Sequence, residues 1–286
     1  MIRFAVIIPT LNAGTRFELL LRSIAEQTVQ PCRKIVLDSS SADMTPVLAR
    51  QFGFEVLSIE KAQFNHGATR QKGVELVPEQ DFLLFLTQDA ILAHPEAFEN
   101  ILATFVKKEV GAAYGRQLPH HTAGPLGAHA RIFNYPSSSR IKSLSDKDAL
   151  GIKTAFISNS FAVYRRTALA SVDGFPQDVI LGEDTFAAAK MLLSGWEIAY
   201  CAEAKVYHSH DYSCLQESRR YFDTGAFHAS QPWIRQSFGS AEGEGLRFVK
   251  SELYFLYSNG YKRYIPLALI NTAFKFIAYK MGLWLK

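Results

Sequence analysis

The sequence predicts an α/β fold with a mostly parallel central sheet, helices on both faces of the sheet and a C-terminal helical extension. Short apolar or β-branched runs alternate with helical patterns through most of the chain, as in βαβ units. The run Phe82–Leu86 is almost wholly apolar, which is typical of a central parallel strand that is covered on both faces. From about Gln216 onward the pattern becomes helical. We therefore expect one large domain over residues 1–215 and an extension over residues 216–286.

The first elements follow from local patterns at strand ends and helix starts. Phe4–Ile8 is predicted to be the first strand. Thr15, with Glu18 three residues later, forms a capping-box pattern that predicts the start of a helix. Thr45 and Pro46 predict the N-cap and first position of the next helix.

Later elements follow the same alternation. Further helices are predicted at Pro95–Val106 and Glu183–Ser194. Residues 119–151 interrupt the rhythm and are expected to be a long loop, either a functional lid or disordered, and residues 119–150 are expected to govern the acceptor and the linkage. The remaining predicted strands are Lys34–Leu37, Glu55–Ile59, Ala155–Tyr164, Glu197–Tyr200 and Lys205–Tyr207.

Composition excludes several classes of protein. Apolar residues make up 48% of the chain and charged residues 20%, which argues against disorder. A net charge of +4, with no dense basic run in the main body, does not indicate a nucleic-acid partner. Three cysteines form no disulfide pattern, and the first residues lack a signal-peptide cleavage site, so we expect a cytoplasmic protein.

Ligands of such sheets bind beyond the carboxyl ends of the strands, so polar residues there are candidate site residues. Asp38 follows the second predicted strand, and its carboxylate can accept a hydrogen bond from N3–H of uracil or thymine. A turn or helix-cap role for Asp38 is the alternative. Asp89 follows the apolar strand and can hold Mg²⁺ or Mn²⁺, which would bridge donor phosphates.

Basic and acidic residues supply the remaining candidates. Arg70, at a loop–helix junction, is suited to bidentate phosphate binding. Glu183 and Asp184 begin a predicted helix, and we assign the general base to Asp184 with Glu183 in support, the reverse remaining open. His208 and His210 project to one side after a short strand, so either can offer an imidazole to a metal.

Together these segments make the chain resemble the inverting glycosyltransferases of family 2, which have the GT-A fold. The resemblance covers roughly residues 3–220. It rests on five segments: Val6–Asn12 as the opening strand and turn, Asp38 at the nucleotide-base position, Thr87–Asp89 as the metal motif, Glu183-Asp184 as the acidic pair and Gln216–Tyr221 as a distant echo of a Gln-x-x-Arg-Trp segment.

The resemblance implies a nucleotide-diphosphate sugar donor, a divalent metal and a saccharide acceptor. Within the family, Phe64–Arg70 and Thr87–Ala90 are similar to bacterial rhamnosyltransferases of surface polysaccharide synthesis. That similarity implies dTDP-L-rhamnose as donor and a lipid-linked acceptor. The chain departs from the family at Thr87, where the first aspartate of the metal motif is expected. The residues assigned to nucleotide binding are Pro9, Thr10, Asn12, Asp38, Arg70 and Gln88.

The implied reaction is a single displacement with inversion, in which Asp184 deprotonates the acceptor hydroxyl. Two alternatives remain: a UDP-sugar-dependent enzyme of the same family, and a non-catalytic nucleotide-sugar-binding protein. A nucleotidyltransferase is disfavoured, because Thr10–Gly14 lacks the Gly-rich loop and lysine expected near its first strand.

The C-terminal segment, residues 262–286, is apolar with basic ends. Lysines interrupt it, and a lysine near the middle of a bilayer costs roughly 3 kcal/mol. A narrow polar stripe instead predicts a helix lying on a surface, either the cytoplasmic face of the inner membrane or a protein. The stripe contains Asn271, Lys275, Gly282 and Lys286.

Overall fold

The computed structural model describes residues 2–179, 181–240 and 242–284. Its strands are β1 Phe4–Thr10, β2 Arg33–Asp38, β3 Glu55–Ser58, β4 Phe82–Leu86, β5 Ile91–Leu92, β6 Val110–Leu118, β7 Arg140–Lys142, β8 Phe161–Arg165 and β9 Glu197–Tyr207. Its α-helices are α1 Arg16–Ala25, α2 Thr45–Gln51, α3 His66–Glu75, α4 Ala97–Ala103, α5 Pro125–Asn134, α6 Lys147–Leu150, α7 Arg166–Ala170, α8 Glu183–Leu193, α9 Cys214–Ser230, α10 Pro232–Phe238, α11 Glu242–Ser258 and α12 Ile265–Trp284.

One sheet organises the molecule, with strand order β3-β2-β1-β4-β8-β6-β9-β5 and β7 paired to β9. Strands β3, β2, β1 and β4 pair in parallel, and β6 pairs in parallel with β9. Strand β8 is antiparallel to both β4 and β6, so β6 and β9 run in the same direction as β1. Within the described residues only β5, β7 and β8 run the other way, which confirms a mostly parallel sheet.

Strand β4 is buried at every position, as predicted. Leu83 and Phe85 belong to the hydrophobic core on one face of the sheet, and Leu84 and Leu86 to the core on the other. This alternation covers both faces of the strand. Its pairing differs from the prediction on one side, because the neighbour there is the antiparallel strand β8.

Two predicted helix starts differ in detail from the structure. Thr15 makes no side-chain cap bond, and Glu18 pairs instead with Arg22, 2.6 Å away, so the capping box does not form. Helix α2 begins at Thr45 rather than after it. The Thr45 hydroxyl oxygen accepts a hydrogen bond from the backbone N–H of Ala13 at 2.9 Å, which ties α2 to the loop after β1.

The segment that breaks the rhythm is more ordered than predicted. It contains α5, β7 and α6, so the expectation of a plain loop over residues 119–151 was wrong. The strand predicted from Ala155 begins only at Phe161, after a 3₁₀ helix at Gly151–Ala155. The two predicted short strands are one strand, β9, because β6 pairs along it through a shift in register between Gly115 and Arg116.

The C-terminal helices pack tightly on one another, with α9 crossing α12. A Cβ on Gly225 would lie 2.2 Å from the carbonyl oxygen of Tyr279, and one on Gly282 would lie 2.1 Å from that of Phe222. Only glycine allows the two backbones to approach so closely. Among the described residues no helix is long and apolar enough to cross a membrane. The extension starts at α9, close to the predicted boundary at residue 215, but division into two units stays a prediction.

Candidate active site

A cavity of about 970 Å³ opens where β4 and β9 end and α8 begins. Five predicted site residues line it: Arg70, Glu183, Asp184, His208 and His210. They come from distant parts of the chain, so their convergence is a product of the fold. Asp38, Arg70, Asp89 and Asp184 were expected to meet in a single cleft, but only Arg70 and Asp184 of these four line this cavity.

Asp89 joins this group through the two histidines. Its carboxylate oxygens lie 3.5 Å from Nε2 of His208 and 3.5 Å from Nε2 of His210. The two Nε2 atoms are 3.1 Å apart. One ligand atom from each of the three side chains thus lies within 4.8 Å of the others, close enough to share one cation. The three residues predicted as metal ligands are the three that meet.

A neighbouring amide determines the tautomer of His208. The Nδ1 of His208 lies 2.8 Å from Oε1 of Gln117. That amide atom also accepts a hydrogen bond from Arg131 at 2.5 Å, and since arginine only donates, the atom is the oxygen. The Nδ1 of His208 must therefore carry the proton, and its Nε2 presents a lone pair to Asp89 and His210. Such an outer partner orients a metal-binding imidazole.

The charges in this cluster suit a cation. Burial disfavours the charged form of Asp89, but in acid, where the imidazoles are protonated, a hydrogen bond from His208 and the charges of His208 and His210 outweigh it and lower the pKa of Asp89. Burial lowers the pKa of His208, and burial together with His208 lowers the pKa of His210 to about 4. At neutral pH the site therefore offers one carboxylate and two neutral imidazoles, the forms that bind metals.

Thr87 lies in the same cavity at the position where the family motif has an aspartate. The motif therefore supplies a single carboxylate, from Asp89. His208 and His210 offer the further candidate ligand atoms, so the candidate set has three members without a second aspartate.

Glu183 is buried and fully engaged. Its Oε1 lies 3.0 Å from Nη1 of Arg70, and both side chains are less than a tenth exposed. The side-chain amide of Asn159 donates to the same oxygen at 2.9 Å, and Tyr164 in turn donates to Asn159 at 2.8 Å. The positive charge of Arg70 keeps the pKa of Glu183 low despite the large opposing effect of burial. Glu183 is thus suited to holding geometry rather than to taking a proton.

Asp184 has the opposite environment. It is half-buried and lines the cavity, where its carboxylate accepts hydrogen bonds from the backbone N–H groups of Thr185 at 2.7 Å and Asn159 at 3.2 Å. Burial, and then the negative charge of Glu183, raise the pKa of Asp184 to about 7. A carboxylate with this pKa suits a general base near neutral pH.

Arg70 was predicted to contact a phosphate. It lines the cavity but is only 4% exposed, and its guanidinium contacts Glu183 and the backbone oxygen of His66. The Arg70 Nε is buried without a partner among the described residues. The structure therefore shows its contact with Glu183, and phosphate binding stays a prediction.

The other predicted nucleotide residues form a separate group, linked by hydrogen bonds, at the carboxyl ends of β1 and β2. Asp38 is 2% exposed and accepts hydrogen bonds from the hydroxyl groups of Thr10 at 2.9 Å and Ser41 at 2.7 Å. Asn12 has φ +45° and accepts from the backbone N–H of Ala42 at 2.9 Å. None of these side chains lines the 970 Å³ cavity.

Gln88 and Pro9 complete this group. The amide oxygen of Gln88 accepts from the backbone N–H of Leu11 at 2.8 Å, and its amide nitrogen donates to Leu11 O at 3.2 Å. Pro9 lies within β1 opposite Leu37 of β2. These contacts shape the loops beyond the strands. Recognition of the nucleotide base by Asp38 stays a prediction. The structure shows the alternative role of Asp38 in a turn, because its carboxylate accepts a hydrogen bond from Ser41, three residues later.

Two functional candidates were missed from the sequence. Gln117 orients His208, and Asn159 bonds Glu183 while its backbone contacts Asp184. A polar residue in the buried strand β6 was the only hint of Gln117. Asn159 lies in no motif.

Comparisons with known proteins agree with this geometry. The family model of glycosyl transferase family 2 matches residues 5–172. The O-antigen chain rhamnosyltransferase WbaN of Salmonella anatum is 51% identical over 98% of this chain and 89% of its own. The O-antigen chain rhamnosyltransferase RfbN of Salmonella typhimurium is 50% identical over the same shares.

Solved structures share the fold at low sequence identity. A mannosyltransferase from Pyrobaculum calidifontis, in complex with GDP-Man and Mn²⁺, has a TM-score of 0.69 at 17% identity and covers 99% of this chain and 87% of its own. TarS of S. aureus, residues 1–349 with UDP-GlcNAc, has a TM-score of 0.62 at 16% identity and covers 99% and 90%. These likenesses confirm the predicted GT-A type of α/β fold.

Proposed function

This chain belongs to glycosyl transferase family 2, and from that membership and the geometry of its cavity we propose that it transfers L-rhamnose from dTDP-L-rhamnose to a saccharide acceptor in O-antigen synthesis. One observation carries the transferase function: a base with a raised pKa, Asp184, faces the same cavity as the His208 and His210 metal candidates. The names of two relatives about half identical to this chain support rhamnose as the sugar.

In the proposed mechanism Asp184 takes the proton of the acceptor hydroxyl. The hydroxyl oxygen forms a bond to the anomeric carbon, the bond from that carbon to the diphosphate breaks, and the configuration inverts. Glu183, held by Arg70 and Asn159, keeps the start of α8 in place and raises the pKa of Asp184 through its charge. Glu183 is thus assigned to positioning, and Asp184 to catalysis.

Asp89, His208 and His210 would hold the divalent cation, Mg²⁺ or Mn²⁺, which when bound supplies positive charge for the departing diphosphate. The donor set favours one of the two metals. Imidazole ligands disfavour Mg²⁺, which prefers oxygen, and are better tolerated by Mn²⁺. We therefore propose Mn²⁺.

For the nucleotide we propose binding beyond β1 and β2, where Thr10 and Asn12 frame Asp38. Pro9, within β1, and Gln88, which bonds the backbone of Leu11, would hold the shape of this region. Arg70 would contact a phosphate when the donor is bound. Thymine and uracil share the N3–H that Asp38 would accept, so this arrangement is also compatible with a UDP-sugar.

The test is nucleotide release from a panel of donors with Mn²⁺, compared between wild type and Asp184→Asn. Release of dTDP from dTDP-L-rhamnose by wild type, and a loss of at least about a hundredfold in the variant, are expected. Rhamnose specificity is abandoned if UDP-sugars turn over and dTDP-L-rhamnose does not. Equal turnover by the variant would remove the assigned base, and binding without turnover would indicate a non-catalytic protein.

We also propose peripheral contact of residues 262–286 with the cytoplasmic face of the inner membrane. The predicted polar stripe faces the protein: Asn271 and Gly282 are buried, and Lys275 pairs with Glu217 at 2.5 Å. Lys286, the last residue of the stripe, lies outside the described residues. The opposite face is apolar and exposed, with Leu269, Ile270, Phe274, Phe276, Ile277, Met281 and Trp284 between 48% and 86% accessible.

Basic residues just before α12, Lys262 and Arg263, add attraction to anionic lipid. Wild-type protein should float with vesicles that contain phosphatidylglycerol, and a Phe274→Ser/Ile277→Ser variant should not. Val106→Ser is the matched control, because Val106 is 87% exposed outside the extension. Failure of wild type to float, with a stable dimer in solution, would assign this face to a second copy instead.

A further inference from the structure

The cavity that contains Asp184 has a second wall, built by the extension. We call it the extension wall. It includes Glu217 and Tyr221 of α9, Phe248 and Glu252 of α11, and Asn271 and Lys275 of α12. A volume of about 970 Å³ lies at the upper end of the range for a site that holds one small molecule. A transferase must bring the donor's sugar and the acceptor together, and the extension supplies a wall of this cavity other than the one that carries Asp184, His208 and His210.

An unpartnered buried group points to a ligand at this wall. Asn271 is 7% exposed and lines the cavity, and its side-chain oxygen has no hydrogen-bond partner among the described residues. Buried polar atoms in native proteins almost always have a partner, so an orphan that faces a cavity calls for one from outside the chain. A hydroxyl group of a bound molecule would be such a partner.

Two further polar groups lie at the same wall. The Lys275 ammonium lies 2.5 Å from Glu217, with 14% of the lysine side chain exposed. Glu252 is 3% exposed, and its Oε1 lies 3.9 Å from Nδ1 of His129. Burial raises the pKa of Glu252 to about 7, so near neutral pH its carboxyl group can both donate and accept hydrogen bonds. Donors and acceptors are thus mixed, as sugar hydroxyls require.

Aromatic rings surround these polar groups. The Lys275 ammonium lies 5.6 Å from the ring centre of Tyr221 and 5.8 Å from that of Phe248. Rings with a few placed polar groups between them are the usual composition of a small-molecule site. They offer apolar faces for the C–H surface of a sugar ring.

The charges at the wall favour a saccharide over a phosphate as its ligand. Its cations in the described part of the chain are Arg220 and Lys275, which are outnumbered by the carboxyl groups of Glu217, Glu244 and Glu252, and the Lys275 charge is paired with Glu217. A wall without excess positive charge does not attract the diphosphate of a donor or of a lipid carrier. An uncharged saccharide fits these groups.

We propose that the extension wall binds the acceptor saccharide, with Asn271, Glu252 and Lys275 hydrogen-bonded to its hydroxyl groups. The inference rests on the proposed function and assigns the acceptor side of it. The wall would hold the sugar so that its attacking hydroxyl faces Asp184 across the cavity. The extension would then supply acceptor specificity in addition to any contact with lipid.

The test uses full-length protein, radiolabelled dTDP-L-rhamnose and membranes from the native host with this gene deleted, which retain the unextended acceptor. The variants are Asn271→Ala, the milder Asn271→Ser, and Glu252→Gln. Asn259→Ala is the matched control, because Asn259 is an exposed residue at the end of α11. Thermal melting identifies the variants that fold.

Each folded wall variant should need about tenfold more membrane for half-maximal transfer, the effect of losing one hydrogen bond to a buried group. Its KM for dTDP-L-rhamnose and its release of dTDP without acceptor should stay within about twofold of wild type. Folded variants with a wild-type membrane requirement, or with an equal rise in donor KM, would overturn the inference. Absence of transfer by wild type from any donor would instead refute the proposed function, and the inference with it.

Discussion

The buried Arg70–Glu183 pair links the stability of the fold to the chemistry of the neighbouring base. Replacing Glu183 by Gln keeps the shape of the side chain and its bond from Asn159, but removes the charge that faces Arg70 at 3.0 Å. Arg70 is then a buried cation without its counter-charge. Asp184 at the same time loses the negative neighbour that helps to raise its pKa.

The expected loss of stability follows from burial. Both side chains are less than a tenth exposed, so water screens the pair little. Breaking a buried pair by removing one partner costs about 3–5 kcal/mol. At about 2 °C per kcal/mol for a chain of this size, the melting temperature should fall by roughly 6–10 °C. Arg70→Met should cost a similar amount, because it leaves Glu183 as a buried anion.

The assay is a double-mutant cycle. Unfolding free energies are measured for wild type, Glu183→Gln, Arg70→Met and the double variant. Because the double variant has no unpaired charge, its loss should be smaller than the sum of the two single losses by about 2–3 kcal/mol. The pH dependence of donor turnover is measured in parallel for wild type and Glu183→Gln, and its acidic limb should move to lower pH in the variant.

Additive losses in the cycle would contradict the expected coupling, since they would mean that Arg70 and Glu183 do not compensate one another. An unmoved acidic limb in Glu183→Gln would show that the charge of Glu183 does not act on Asp184. Arg33→Met serves as the control for a general effect of removing an arginine. Its pair with Glu55 is partly exposed and should contribute at most about 1 kcal/mol.

Turnover should fall about tenfold per pH unit below pH 7, because Asp184 must be ionised. The raised pKa of Asp184 also means that its ionised form destabilises the folded protein. Asp184→Asn should therefore melt at a higher temperature than wild type at pH 8 but not at pH 4, and equal melting at pH 8 would contradict the shift. Gly225→Ala should cost at least about 2 kcal/mol in chemical denaturation, while Gly243→Ala, in open space on α11, should be neutral or up to about 1 kcal/mol more stable. Gln117→Leu should weaken Mn²⁺ binding about 10–100-fold by calorimetry, because Nδ1 of His208 loses its partner, and unchanged affinity would exclude the assigned tautomer.

Several features of this protein could be predicted from local sequence because local physics determines them. The alternation of apolar runs with helical patterns predicts the parallel strands, and the near-continuous apolar run of β4 predicts burial on both faces. Residues directly after such strands must lie at one edge of the sheet. This is why Asp89, His208 and His210 could be named as candidate metal ligands before their contacts were known.

Prediction failed where a residue had a stronger partner elsewhere. The Glu18 side chain bonds Arg22 instead of completing a capping box, and Thr45 bonds the loop after β1. Strand β9 is continuous only because β6 lies along it, which no local pattern records.

The sequence by itself determined the order of elements, the residue types at the strand ends and the identity of the acidic pair. The different environments of the two carboxylates come only from the tertiary structure. Glu183 and Asp184 are adjacent and chemically alike, but Arg70 and Asn159 surround one of them while the other faces the cavity. A charge partner from a distant helix keeps one carboxylate ionised, and burial beside that negative charge raises the pKa of its neighbour. Electrostatic environment, which depends on contacts between distant segments, thus distinguishes the carboxylate proposed as support from the one proposed as base.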